Sequence, residues 1–397
     1  MNIVEPIEPL GMAGGALPWI EALYIHIPFC LKKCNYCDFI SYPLETLPIQ
    51  EYIQVLVREA KLYYRYLSPC QKKIKSIYLG GGTPTCLPVS ALTLLLDEVQ
   101  TLFPVECDGE ITVECNPLTV DREYLITLKQ AGVNRLSIGA QSFHEKLLKE
   151  MGRSHTVEDI INTVEDAKSA GFTNISLDLI YGLPGQTLDQ WNDTLKQAAT
   201  LPVTHLSIYG LHLSSLSPWG SSYQSGLLVL PDEDEFVTMQ ERAMDFLLAQ
   251  GFEHYEISNF ARPKFFSVHN RVYWNNGNYL GLGLAASSHW SNLRQTNTSS
   301  WVEYLKKIRG EKFPIEDWEL LDRETEMAET VFLGLRLLDG FETLAFKKKY
   351  GIDFMEKYRF QVNKLENLGL IKQGEGRIGL TKKGVFLANE VFMEFLP

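Results

Sequence analysis

One pattern recurs between residues 21 and 213: a short apolar run, a loop, then a stretch of helical periodicity. The runs fall at 23–29, 74–79, 110–114, 135–139, 175–180 and 206–211. Amphipathic stretches separate them, at 89–102, 121–130, 157–170 and 188–198 among others. Asp121 and Thr156 stand where helix N-caps belong, and Gly132 and Gly171 where left-handed caps would close helices. Six strand–helix alternations predict an α/β fold with a parallel sheet and right-handed crossovers. A complete eight-fold barrel takes about 250 residues, more than this region has. An open-sided, partial barrel is therefore expected, and periodicity leaves a doubly wound sheet as the alternative.

The character changes after residue 214. Residues 214–222 are loop material, 231–235 open a helix reaching Ala249, and 252–290 are aromatic, Asn- and Gly-rich, as in irregular loops with short strands. From Glu324 the pattern is helical, then ends in a short ribbon and another helix near 377–384, which suggests a small winged-helix-like unit.

Charge and cysteine usage exclude several function classes. A net charge of −12 with no basic block argues against a general nucleic-acid binder, and Lys347-Lys348-Lys349 is too short to count. No run of about 18 apolar residues offers a membrane span, and the acidic N-terminus lacks the plan of a secretory signal. A cytosolic protein is expected, with membrane contact at most peripheral. Seven cysteines, an odd number, make no disulfide framework. Cys70, Cys86, Cys107 and Cys115 have no mutual ligand spacing and read as buried small hydrophobes or bystanders.

Cys30, Cys34 and Cys37 are different: their C-x3-C-x2-C spacing puts three thiolates on one loop after the first apolar run. Three thiolates on a cubic 4Fe–4S cluster leave one iron open to a small molecule. A closed zinc site wants four ligands, for which His26 is a candidate fourth; that reading, and a thioredoxin-like use of Cys34 and Cys37, are the weaker ones. Polar residues also fall at the carboxyl ends of successive strands, where parallel α/β folds gather function. They are Gly80 to Thr85 after the second, Glu114 and Asn116 at the third, Gln141 and Ser142 after the fourth, and Asp178 late in the fifth. Glycines there let a ligand meet the backbone. Glu114 and Asp178 can accept from ribose hydroxyls or an ammonium group, or else sit in buried ion pairs with Arg135 or Arg153. Far along the chain, His269-Asn270-Arg271-Val272-Tyr273 lies among Tyr255, Phe260, Phe265, Phe266 and Trp274. Histidine is a common axial ligand of haem iron, and aromatic residues suit a flat macrocycle, but a histidine bonded within a loop looks the same.

Cys30, Cys34, Tyr36 and Cys37 together resemble the radical S-adenosylmethionine (SAM) motif. Residues 80–85, 137–143 and 178–185 resemble one branch of that superfamily, the oxygen-independent coproporphyrinogen III dehydrogenases and their haem-chaperone relatives. The resemblance runs from Tyr24 to Leu396. It implies a partial (β/α)6 radical-SAM barrel with a C-terminal mainly helical, winged-helix-like domain. It implies that Cys30, Cys34 and Cys37 hold a 4Fe–4S cluster whose open iron chelates the amino and carboxylate groups of SAM. Tyr24, Gly81, Gly82, Thr83, Glu114, Gln141, Arg153 and Asp178 match the branch's SAM-binding positions. An electron entering the cluster would cleave SAM to methionine and a 5′-deoxyadenosyl radical.

Two details divide the branch. The dehydrogenases resemble one another in a further cysteine two residues after the third and in a longer N-terminal extension. Here Cys37 is followed by Asp38-Phe39-Ile40, and only 29 residues precede Cys30. The His-Asn-x-x-Tyr run is the haem-binding signature of the chaperones, which makes His269 a haem ligand with Tyr273 in the same motif. Two stretches depart from the common pattern: Ser214-Ser215-Leu216-Ser217 stands for a usual Glu-Pro-Gly-Thr, and Ala285 to His289 for a Gly-Ala-His-Ser stretch. The resemblance thus implies a protein that binds haem, SAM and a cluster and passes haem to an acceptor protein, with an electron donor as second partner. The dehydrogenase, or a radical-SAM enzyme on another substrate, is the alternative. The expected division is an N-terminal segment at 1–20, the cluster-bearing barrel at 21–230, a connecting helix and haem-binding loop region at 231–320, and the helical domain at 321–397.

Overall fold

The computed structural model describes residues 18–68 and 73–397. Cys70 and most of the expected N-terminal segment lie outside them. Six parallel strands form the centre: β1 (Ala22–Ile27), β2 (Ile74–Gly81), β3 (Val105–Cys115), β4 (Arg135–Gln141), β5 (Asn174–Tyr181) and β6 (His205–Gly210), paired in chain order. Helices α1 (Ile49–Tyr64), α2 (Val89–Leu102), α3 (Arg122–Gln130), α4 (Val157–Ser169) and α5 (Leu188–Thr200) connect them. Their starts are written locally: Asp121, Thr156 and Thr187 each accept a backbone N–H from the first turn of the helix that follows. Gly132 and Gly171 take the positive φ expected where helices close.

Buried parallel strands are commonly apolar on both faces. Here they alternate. Leu23, Ile25, Ile77, Leu79, Val113, Leu136, Ile138, Leu177 and Leu206 belong to the apolar core. The intervening positions, Tyr24, Tyr78, Glu114, Ser137, Asp178 and Ser207, face the other way because side chains flip at each residue. One face therefore packs, and the other lines a site.

The sheet does not stop at six strands. Beyond β6 lie β7 (Glu253–Glu256) and β8 (Asn259–Ala261), with β8 antiparallel to β6. Beyond β1 come β9 (Tyr279–Leu282), β10 (Ser287–Trp290), β11 (Leu293–Asn297) and β12 (Ile315–Leu320), completing a twelve-stranded sheet among the described residues. Glu59 of α1, fully buried, ties this extension to the barrel by accepting from the Gly283 amide at 2.8 Å, Asn297 at 2.7 Å and the Tyr304 hydroxyl at 2.5 Å. The short helix α7 (Val268–Trp274), which follows α6 (Glu233–Ala249), packs against β2 and β3. A separate three-stranded sheet (Phe341–Glu342, Ile371–Gly374, Arg377–Leu380) and the helices Arg323–Gly334, Thr343–Tyr350 and Phe354–Asn367 make the winged-helix-like C-terminal part. Among the described residues no helix is long and apolar enough to cross a membrane.

Candidate cofactor site

The cysteine loop is pinned from three sides. Asn35 donates its amide to Met151 O at 2.9 Å and its side chain to Glu150 O at 2.8 Å, so the loop is stitched to the segment after β4. Trp219 donates its amide to Asn35 O at 2.9 Å, bringing in the segment after β6. The turn after β2 completes the frame: the Gly82 amide donates to Ile27 O at 2.9 Å and the Thr83 amide to Phe29 O at 2.6 Å. Cys30, Cys34 and Cys37 are each half-buried, and Thr83 Oγ1 lies 3.8 Å from Cys30 Sγ. Arg153 bridges loop and sheet, donating to Gly139 O at 2.7 Å and to Cys34 Sγ at 3.5 Å. Burial raises the Cys30 and Cys37 thiols above their ordinary range, and the Arg153 cation beside Cys30 acts the other way. A guanidinium next to sulfur stabilises thiolate, the form that binds iron.

Opposite lie two buried carboxyls. Glu114 accepts from the Tyr78 hydroxyl at 2.8 Å and the Gly81 amide at 3.1 Å. Burial, with Asp178 nearby, pushes Glu114 up to about 7, against those two hydrogen bonds. Asp178 takes the Ser137 hydroxyl at 3.2 Å from each oxygen, and burial raises it too. Neither has an ion-pair partner among the described residues. Arg135 faces Glu110, with its Nε 4.0 Å from the carboxylate, and Arg153 is committed to the cysteine loop. Both carboxyls are thus left for something else to meet. Between loop and carboxyls lies a cavity of about 610 Å³. Cys30, Cys34, Cys37, Gly81, Gly82, Thr83, Glu114, Gln141, Arg153 and Asp178 all line it. Tyr24 lies just behind, its ring 6.2 Å from that of Tyr78 and its hydroxyl 3.0 Å from His26 Nδ1.

His269 and Tyr273 are elsewhere. They sit on helix α7 rather than on a loop, under the cavity floor. Glu110 caps that helix, accepting the Val268 and His269 amides at 2.9 and 3.3 Å, as a negative charge at a helix N-terminus should. The His269 ring centre lies 5.0 Å from that of Tyr78, the planes tilted by 31°, and the residue is 1% exposed. Its Nδ1 lies 2.9 Å from Ser76 Oγ and its Nε2 2.8 Å from the Tyr273 hydroxyl. As folded, His269 offers iron no free nitrogen. Only Asn270 of this motif reaches the cavity wall.

The Radical SAM superfamily pattern matches residues 24–198, and the HemN C-terminal domain pattern matches 321–387. The heme chaperone HemW of Lactococcus lactis is 38% identical over 95% of this chain and 97% of its own length. That of Bacillus subtilis is 37% identical over 95% and 99%. The chain belongs to the HemW family of radical SAM proteins. Its fold is that of the solved coproporphyrinogen III oxidase HemN from Escherichia coli, with a TM-score of 0.82 and 24% identity over 96% of this chain and 90% of that one.

Radical SAM proteins use a 4Fe–4S cluster and SAM, and the donors in this HemW-family chain fit both. Among the described residues no three His, Cys, Asp or Glu side chains converge as the ligands of one ion would. A cubic cluster asks for something else, one iron for each cysteine. His26 is no zinc ligand: its Nε2 lies 2.9 Å from Ile40 O, and its other nitrogen meets Tyr24. Several further wall residues stand in no motif. Tyr78 and Ser207 look like ordinary strand positions, and Cys115, buried as expected, also lines the cavity. Cys107 is exposed, the bystander rather than the buried hydrophobe of that reading. A strand-by-strand count of inward-facing positions would have found Tyr78 and Ser207, since both share the parity of Glu114 and Asp178.

Proposed function

We propose that this protein is a haem chaperone, one that binds haem beside a SAM-coordinated 4Fe–4S cluster and hands it to an acceptor protein. What carries the reading is the near full-length likeness to proteins named heme chaperone, supported by a cavity lined by the three cysteines, the glycine turn and two buried carboxyls. Cys30, Cys34 and Cys37 would hold the cluster, which with SAM supplies one-electron chemistry when bound. This chain's own residues do the rest. The Gly81–Gly82 backbone lets the ligand close on the turn after β2. Glu114, near neutrality, can donate as well as accept, and Asp178 can meet a ribose hydroxyl or the ligand's ammonium group. Arg153 keeps the cysteine loop in register with β4. His269 joins this scheme only by an opening of α7, because it must give up Ser76 or Tyr273 before it can reach iron. The chain would work in the cytoplasm with an electron donor as second partner.

The rival is the dehydrogenase, supported by the fold shared with HemN. Anaerobic reconstitution followed by two parallel assays separates them. Haem titration of the chaperone should give a saturable Soret band, and coproporphyrinogen III with SAM and a reductant should give no protoporphyrinogen. Robust turnover without haem binding would reverse the ranking. In the same preparations Cys34→Ser should bleach the cluster absorbance and lower iron and sulfide together; full iron with retained absorbance would remove Cys34 from the ligand set.

A further inference from the structure

Large apolar side chains scattered singly over a surface are ordinary, whereas several gathered in one place mark a surface that another molecule covers. Between β6 and α6 the chain gathers four. Leu216 and Leu227 are each 83% exposed, Val229 78% and Tyr223 51%. The local fold keeps them together. A short helix, Pro218–Gln224, starts from Ser217, whose hydroxyl accepts the Gly220 amide at 3.0 Å. Gly226 takes a φ of +72° after that helix and turns the chain back. The Gly226 amide then donates to Tyr223 O at 3.0 Å and the Leu227 amide to Ser222 O at 2.9 Å, the paired closure of a glycine-ended helix. Seven helical residues span only about 10 Å, so Leu216 and Leu227 stand at the two ends of one small outcrop. Trp219, by contrast, is buried, and Leu228 packs on the core.

The outcrop stands at the rim of the cavity. Leu211 and His212, just before it, line the cavity, and the Trp219 amide bonds to Asn35 O of the cysteine loop at 2.9 Å. On its other side α6 is fastened to the same rim. The Phe236 ring centre lies 4.7 Å from that of Tyr181 at the end of β5, and a Cβ on Gly210 at the end of β6 would stand 2.4 Å from that ring. Asp232, Glu233, Asp234 and Glu235, all exposed, open α6. Asp232 and Glu235 accept each other's amides in a capping box. Glu233 and Asp234 have no ion-pair partner among the described residues, and between Lys196 and Arg242 the chain holds no Lys or Arg at all. A helix N-terminus supplies only about half a positive charge, so most of this negative charge stays unbalanced. An apolar centre with a charged rim is the anatomy of a docking site, and its complement is an apolar segment edged with Lys or Arg. The same carboxylates turn the outcrop away from anionic lipid headgroups.

We propose that this outcrop is the docking surface for a protein partner that presents an apolar, basic segment. The partner's apolar side chains lie on Leu216, Tyr223, Leu227 and Val229, and its cations meet Glu233 and Asp234. A protein held there has the cavity rim beside it. That the partner is the haem acceptor rests on the haem-chaperone reading; the docking surface itself does not.

The probe is a fluorescently labelled synthetic peptide with leucines on one helical face and lysines on the other, titrated by anisotropy against the full-length, cluster-reconstituted protein. Two control peptides carry glutamates in place of the lysines, or serines in place of the leucines. The lysine–leucine peptide should bind saturably at one per chain, about tenfold or more tightly than either control, and more weakly as salt is raised. The double variant Leu227→Ser, Val229→Ser, a surface change with little reason to unfold the chain, should weaken that binding by about tenfold or more. Glu233→Gln with Asp234→Gln should weaken it and flatten its salt dependence. Phe360→Ser, which removes an apolar side chain 78% exposed on the C-terminal part, should leave it unchanged. Parent-like binding by the Leu227, Val229 variant overturns the proposal, and so does equal binding of the glutamate peptide. Sedimentation of the protein alone and flotation with phosphatidylcholine–phosphatidylglycerol vesicles test the other occupants. A dimer or a vesicle complex that the two serine substitutions dissolve gives the surface to a second copy or to lipid and overturns the proposal as well. Haem titration of the parent is read separately: absence of a Soret band sinks the chaperone reading, whereas the peptide arms alone decide the docking surface.

Discussion

Glu114 sits between the Tyr78 hydroxyl and the Gly81 amide, with burial holding its carboxyl close to neutrality. In the unfolded chain the same group ionises at its ordinary value of 4.5, whereas in the folded chain it does so at about 7. The folded state therefore keeps a proton that the unfolded state releases. Its contribution is neutral below pH 4.5, turns unfavourable as pH rises toward 7, and is constant above that. Glu114→Gln removes the titration, so the variant's stability relative to the parent should climb by about 3 kcal/mol across that window in urea unfolding of the cofactor-free protein. A flat difference would mean that the carboxyl titrates normally. The wall residues at strand ends, in the glycine turn and in the cysteine loop were legible because such features announce themselves, whereas Tyr78 and Ser207, ordinary strand positions, were not. The state of His269 was not. A sequence shows that an imidazole is present but not that Ser76, 193 residues away, occupies one of its nitrogens.

Among the elements that frame the site, the turn after β2 has little freedom. A Cβ on Gly82 would stand 2.5 Å from Phe29 O, on the backbone that leads into Cys30, and Gly81 holds a φ of +116°. Gly82→Ala should therefore push the cysteine strand outward. The expected outcome is a folded protein, less stable by about 1–3 kcal/mol, with iron and sulfide well below the parent level after reconstitution. Parent-like loading would show that the turn and the loop move independently. All six barrel strands and the helices with clear caps were readable, because parallel crossovers impose a rhythm on the chain. Helix α1, strands β11 and β12, and the pairing of the short strand β9 with β1 were not. Strand β9 pairs with a β1 that lies more than 250 residues earlier, β10 to β12 add on in turn, and Glu59 reaches Asn297 across 238 residues. Local periodicity carries no information about such partners.

For the whole molecule, the C-terminal part acts on the barrel through α7. Asn276, just past that helix, donates to Thr330 Oγ1 at 2.8 Å, and the Arg336 guanidinium lies 4.3 Å from the Trp274 ring centre. Ile257 and Leu338 add backbone bonds to Arg336 O and Tyr255 O at 3.2 and 3.0 Å. The winged-helix-like part thus holds down the segment that carries His269. Arg336→Ala should raise amide hydrogen exchange across residues 268–274 and leave β1 to β6 protected; unchanged exchange would mean that the helix is held by Glu110 alone. The winged-helix-like pattern could be read from residues 324–384, but its grip on α7 could not, since cation–aromatic and side-chain contacts between distant segments leave no local signature. Helix α7 lies behind the cavity wall through the His269–Tyr78 contact, and the cysteine loop and the segment after β6 meet at the cavity's doorway. If a macrocycle rests across that doorway, whatever nucleoside lies deeper is trapped until it departs. Loading and unloading would then follow a last-in, first-out order, and delivery of the cargo would itself be the step that permits the smaller ligand to exchange.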